Sequence, residues 1–248
     1  MASRDYQNAD FHRFLFPATR PDTDGIACIV TGLDGRVEDF ETPRQTLQAA
    51  GYKVAVYEYG MDVLKSGDPD NVRDLTSNIT ADFQALSSDY PRRRHTGVSL
   101  GALIAHNMHL WDPTAEPSLL ATPGVPLAET IFHAVMLRFL RIPSAYKRNG
   151  YGNIADLVQA FDGIDIDAAE PPTDITGAVI ALGTHDLTIP YHKAVLNMTK
   201  WQAAGVPIEF KRVDNASHDN TISWFKQHIP EMLQLSEKLE TLNQQQLL

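Results

Sequence analysis

From residue 12 to the C-terminus, short apolar runs rich in β-branched residues alternate with longer stretches of helical periodicity. Such alternation brings strands together in parallel, because each helix carries the chain across one face of the sheet before the next strand begins. "HRFLFPA" and "GIACIVTGL" read as the first strands and "YKVAVYEYG" as the next. "SLLATPGVP" reads as a short strand, "GAVIALGTHD" as a buried one and "VPIEFKRVDNASH" as a last strand with its loop. Between them, "TPRQTLQAAG" has the marks of a helix: Thr42 and Gln45 at capping-box spacing, Pro43 at the first helical position and Gly51 at the close. Leu75, Ile79, Phe83 and Leu86 then line one helical face, and a final helical region breaks near Pro230. The expected architecture is α/β: a mainly parallel central sheet with helices on both faces.

No internal repeat or Gly/Ser linker divides the chain, so its 248 residues are read as one domain, 1–248. The strand pattern lapses between Gly124 and Gly177, where two amphipathic helices are expected, one presenting Ile131, Val135 and Phe139, the other Ile154, Leu157, Val158 and Phe161. This stretch, about 125–176, is read as a small helical lid inserted in the domain. A formal charge of −10 works against attraction to phosphate backbones or anionic lipid, so no nucleic-acid partner is expected. No stretch is long and apolar enough for a membrane span, the N-terminus lacks a secretory pattern, and a cytoplasmic protein is expected. The single cysteine, Cys28, lies in an apolar run and is read as a buried thiol.

One turn carries chemistry. In "HTGVSLGALIAH", Ser99 stands between Gly97 and Gly101, after a strand and before a helix. A serine hydroxyl is a poor nucleophile unless a base takes its proton and donors stabilise the oxyanion that forms on attack. A tight strand-to-helix turn exposes the serine, small residues two places away leave room for it, and the following helix aims backbone N–H groups at the developing charge. Such a nucleophile needs an acid and a histidine later in the chain. Asp186 follows the strand "GAVIALG" and His218 lies in the loop after "PIEFKRV". His185 and His192 compete for the base, and Asp214 and Asp219 for the acid, but position favours Asp186 and His218. His106 and His109, three apart on the helix after Ser99, lack the further ligands of a zinc pattern, so no metal is expected. Arg92, Arg93 and Arg94 read as a solvated strand edge, and Met232, Leu235, Leu239 and Leu242 as a helix face docked on the chain's own core, with a coiled-coil dimer seam as the alternative.

From about Phe11 to about Ile229 the chain resembles α/β-hydrolase fold serine hydrolases, on the "GVSLGA" turn, the "GTHDLTIP" acid loop and the "NASH" histidine loop. The resemblance implies that Ser99 is the nucleophile, His218 the general base and then acid, and Asp186 the residue that orients His218. It also implies an oxyanion hole made by the backbone N–H groups of Leu33 and Leu100, with no cofactor. Two departures stand out: Thr31-Gly32 replaces the family's usual His-Gly, and the segment after Glu58 lacks the family's acidic-x-x-Gly-x-Gly-x-Ser loop. The activity expected is hydrolysis of a carboxylic ester through a covalent acyl-enzyme. Phe132, Met136, Phe139, Leu140, Leu157 and Phe161 suggest an apolar acyl group. A thioesterase or acyltransferase would use the same triad, and a non-catalytic binding protein could occupy the same fold. The expected partner is a small acyl ester or thioester, bound by a monomer or homodimer.

Overall fold

The computed structural model describes residues 3–7, 10–20, 23–33, 35–60, 71–123 and 176–246. Its centre is an eight-stranded sheet in the order β1-β2-β4-β3-β5-β6-β7-β8. The strands are β1 (Ser3–Gln7), β2 (His12–Phe16), β3 (Gly25–Val30), β4 (Tyr52–Glu58), β5 (Arg92–Val98), β6 (Glu116–Ala121), β7 (Ala178–Gly183) and β8 (Ile208–Val213). β1 and β2 run antiparallel at one edge, and every pair from β4 through β8 is parallel. β3, with a parallel partner on each side, is buried at all six positions, which is why "GIACIV" reads as an unbroken apolar run. The sequence reading missed β1, whose residues show no apolar alternation.

The helices are α1 (Glu41–Ala49), α2 (Asn71–Ser87), α3 (Leu100–Trp111), α4 (Tyr191–Ala203), α5 (His218–Gln227) and α6 (Ile229–Gln246). One face of the sheet buries Ile26, Cys28 and Val30 with residues of α2, α3 and α4; the other buries Ala27 and Ile29 with residues of α1, α5 and α6. Successive β3 side chains point to opposite faces, so a single strand seeds both cores. Burial pushes the Cys28 thiol up to about 12, leaving it protonated and unreactive. The expected lid, 125–176, falls almost wholly outside the described residues. Among the described residues no helix is long and apolar enough to cross a membrane.

Three local readings need correction. α1 starts at Glu41, directly after a 3₁₀ turn at Val37–Phe40, with Phe40 at the cap and no capping side chain. Gln45 therefore bonds Glu41 (Nε2–Oε1 2.7 Å) instead of closing a box with Thr42, and Pro43 sits within the first turn, where a missing N–H leaves no intrahelical bond unmade. The helix does close at Gly51, whose φ of 93° suits a residue without Cβ. In α6, Met232 and Leu239 dock on the core but Leu242 remains 54% exposed.

The arginines also depart from the sequence expectation. Arg94 is 2% exposed. Its guanidinium donates to the Pro117 carbonyl (2.8 Å) and Ser236 Oγ (2.5 Å) and pairs with Glu116 (3.1 Å) and Glu240 (3.2 Å). Arg92 and Tyr52 join the network, both bonding Glu116. A buried charge must be paired and hydrogen-bonded to be tolerated, and here the partners come from β6 and α6. Arg94 thus fastens the C-terminal helix to the sheet; periodicity cannot distinguish such an arginine from a solvated one.

Candidate active site

β5 lies in the middle of the parallel sheet, and the chain leaving it must turn sharply to begin α3. Ser99 makes that turn at φ 54°, ψ −125°. Its N–H donates to Ala121 O (2.9 Å), and its carbonyl accepts from Ala102 N–H (3.0 Å) and Leu103 N–H (3.3 Å). Positive φ is strained for a residue with Cβ and persists only where surrounding contacts enforce it. The flanking glycines show what enforces it. A Cβ on Gly97 would lie 2.2 Å from Gly101 O, and one on Gly101 would lie 2.1 Å from Thr31 O and 2.3 Å from Val30 O. The first turn of α3 is therefore pressed backbone to backbone on the ends of β3 and β5, and the G-x-S-x-G pattern is required sterically.

Asp186 sits in the turn after β7 and is 3% exposed. One carboxylate oxygen, Oδ1, accepts the N–H groups of Thr188 (2.8 Å) and Ile189 (2.7 Å). The other, Oδ2, lies 2.8 Å from His218 Nδ1. His218 is the first residue of α5, not a loop residue as the sequence suggested, and Ser217 caps that helix through the Asn220 N–H. The acid turn and the histidine segment are joined directly: Thr184 N–H bonds Val213 O (3.1 Å), His185 N–H bonds Ala216 O (3.0 Å) and Asn215 N–H bonds Thr184 Oγ1 (2.8 Å). Gly183 permits this approach, since a Cβ there would lie 2.1 Å from Thr221 Oγ1.

His218 Nε2 is 2.9 Å from Ser99 Oγ. A carboxylate can only accept, so Nδ1 carries the imidazole proton and Nε2 is left to accept from the serine hydroxyl. Serine, histidine and aspartate, 119 and 32 residues apart in the chain, form one hydrogen-bonded line. The rivals do not join it. His185, His192 and Asp219 are exposed, and Asp214, also exposed, pairs with Arg212 at 2.6 Å.

Leu33, in the loop after β3, and Leu100, directly after the turn residue, both lie beside Ser99. Leu100 opens α3, and a first-turn N–H has no acceptor within its own helix. Leu33 follows Gly32, where an added Cβ would stand 3.5 Å from Ser99 Cβ, so this loop runs alongside the serine.

His106 and His109 do not share a face toward a common point. His106 tilts against Trp201 (ring centroids 4.8 Å apart) and His109 meets His95 edge-on (5.7 Å). All three histidines are buried; desolvation lowers His95 to about 4 and His106 and His109 to about 3, so they are neutral at pH 7.

The sequence reading missed Glu58 and Tyr59. The Tyr59 hydroxyl donates to Thr31 O (2.8 Å) and Glu58 Oε2 accepts Val37 N–H (3.0 Å), so both hold the loop after β3. The available signal was an aromatic residue just beyond the buried strand β4, on the side where that loop must lie.

No family model matches the sequence, and no curated protein matches it by sequence. Solved structures do match in fold. An α/β-hydrolase enzyme from the sediment metagenome of the Mar Chica lagoon, Morocco, superposes with a TM-score of 0.60 at 14% identity, covering 94% of this chain and 97% of that one. An esterase of Pyrococcus furiosus gives 0.62 at 16% identity, covering 90% and 85%. Esterase 2 of Thermogutta terrifontis, in a form phosphonylated by sarin, gives 0.58 at 19% identity, covering 94% and 93%. At such identities the likeness establishes the fold, and the chain has the α/β-hydrolase fold.

Proposed function

We propose that this chain is a serine hydrolase that cleaves carboxylic esters through a covalent acyl-enzyme. The observation that carries the reading is the line from Ser99 Oγ to His218 Nε2 and from His218 Nδ1 to Asp186, built on a strained turn. Ser99 Oγ attacks the ester carbonyl carbon while its proton passes to His218 Nε2. Asp186, held in place by two backbone N–H groups, keeps the imidazole oriented and stabilises the imidazolium. The carbonyl oxygen becomes an oxyanion, which accepts from the N–H groups of Leu33 and Leu100. Collapse expels the alcohol with the proton from His218, and water, activated by the same histidine, releases the acid and restores Ser99.

Support for an ester comes from the fold neighbours, of which the Pyrococcus and Thermogutta proteins are named as esterases. An apolar acyl group is the finer reading, favoured by Leu187, 61% exposed directly beside Asp186 in the chain, and by the apolar composition of the 125–176 sequence. Initial rates on 4-nitrophenyl esters from acetate to octanoate, beside matched acyl thioesters, test the assignment. The expected result is ester turnover well above a Ser99→Ala control, with kcat/KM rising from two to about six acyl carbons, at roughly 0.8 kcal/mol per buried methylene. Thioester turnover exceeding that of the oxyesters would assign the thioesterase chemistry instead; no turnover of either class would favour a binding protein.

A further inference from the structure

β4 ends beside the loop that leaves β3, and its last residue, Glu58, together with Tyr59 just beyond it, grips that loop at both ends. The Tyr59 hydroxyl, 2% exposed as a residue, donates to the carbonyl of Thr31 at the loop's entry (2.8 Å). Glu58 Oε2 accepts the N–H of Val37 at its exit (3.0 Å). Between them Gly35 N–H bonds Gly32 O (2.9 Å), closing a turn so tight that a Cβ on Gly35 would lie 2.9 Å from both Gly32 O and Thr31 Cβ.

Peptide planarity converts these bonds into a direction. In a trans peptide the N–H points opposite to the carbonyl of the preceding residue. The Gly32 carbonyl, held by Gly35, therefore fixes the orientation of the Leu33 N–H. The preceding plane is fixed through the Thr31 carbonyl. On one side this oxygen meets the first turn of α3, where a Cβ on Gly101 would come within 2.1 Å; on the other it accepts from Tyr59. Thr31 is fully buried, so no solvent replaces the phenol if it is removed.

We infer that Tyr59 is a positioning residue for the oxyanion hole: by holding the Thr31 carbonyl it sets where the Leu33 N–H stands relative to Ser99 Oγ. The inference rests on the hydrolase reading above. It also accounts for a departure in the sequence, since a threonine occupies position 31 and an anchor just beyond β4 supplies support from outside the loop. Tyr59 touches neither substrate nor reacting atoms; it acts through backbone geometry.

The test is Tyr59→Phe, which removes one oxygen atom, with Tyr57→Phe as control. Tyr57 lies on β4, two residues before Tyr59, and is fully buried, but its hydroxyl bonds Asp82 (2.8 Å), away from the loop. Each variant is assayed for kcat and KM on 4-nitrophenyl butyrate, for Tm, and for inhibition by a trifluoromethyl ketone, whose tetrahedral adduct needs the same oxyanion donors. Losing an oxyanion donor outright lowers kcat by about 10²–10³-fold, so a displaced donor is expected to lower it by about 10- to 50-fold. For Tyr59→Phe, KM should stay within about twofold and the inhibition constant should rise in parallel with the loss in kcat/KM. Tyr57→Phe should lower Tm while leaving kcat within about twofold of wild type.

Unchanged kcat and inhibition in Tyr59→Phe, with wild type active, overturns the inference and leaves the hydrolase reading standing. Equal losses in both variants also overturn it, since they would report general weakening of β4. A wild-type protein inert to ester and ketone overturns the hydrolase reading, and the inference with it.

Discussion

Ser99→Ala will retain the native fold and lose turnover by a factor on the order of 10⁵ to 10⁶, the scale seen when a hydrolase loses its serine or histidine. The fold should survive because alanine keeps the Cβ that the contacts around φ 54° already accommodate, and among the described residues the hydroxyl removed bonds only His218. His218→Ala should lose a similar factor. The double variant should lose little more than either single one, because a nucleophile without its base and a base without its nucleophile are both idle. Circular dichroism and thermal unfolding establish the fold, and kcat on 4-nitrophenyl butyrate establishes the loss. Residual activity above about a hundredth of wild type in Ser99→Ala would place the chemistry elsewhere; by the factors above it should fall far below that level.

The second large effect is on stability. His95, His106 and His109 are buried and held neutral, at about 4, 3 and 3, while in the unfolded chain each titrates near 6.5. Among the described residues, the Nδ1 atoms of all three, and His106 Nε2 as well, have no hydrogen-bond partner. Their pKa is lowered by folding, so below pH 6.5 the unfolded chain binds the protons and stability falls with pH; above 6.5 neither state binds them and stability is full. Each histidine removes about 1.4 kcal/mol per pH unit in that window, so by pH 5 the three together remove about 6 kcal/mol, comparable to the whole stability of many domains. Urea unfolding at pH 7, 6 and 5 should show this decline. His106→Phe keeps a ring against Trp201 but cannot take up a proton, and should lessen the decline by about a third. Identical pH dependence in variant and wild type would contradict the linkage.

Much of this was legible in the sequence because steric and periodic demands leave marks in residue type. Gly97 and Gly101 are forced by contacts of 2.2 and 2.1 Å, so the elbow is written in the chain as glycines. The buried strand β3 is an apolar run because helices cover both of its faces. Asp186 and His218 were found by their places after β7 and β8, and the structure brings both to Ser99.

What was missed depends on partners distant in sequence. Arg94 looks like its two exposed-looking neighbours until α6, more than 140 residues later, brings Ser236 and Glu240 to it. β1 is formed of polar residues and is recognised only through its pairing with β2. Tyr59 is marked only as an aromatic residue just past β4, and its meaning comes from the carbonyl of Thr31, 28 residues earlier. The start of α1 was misplaced because a 3₁₀ turn at Val37–Phe40 feeds directly into it and removes the need for a capping side chain.

Ser99 stands or falls as an activated nucleophile on covalent labelling. Folded protein is exposed briefly to a fluorophosphonate, with Ser99→Ala alongside, and both are read by intact and peptide mass spectrometry. The expected result is one adduct per chain, on the Ser99 peptide and absent from the variant. An unlabelled Ser99 in folded protein, or a label that persists in Ser99→Ala, would contradict it.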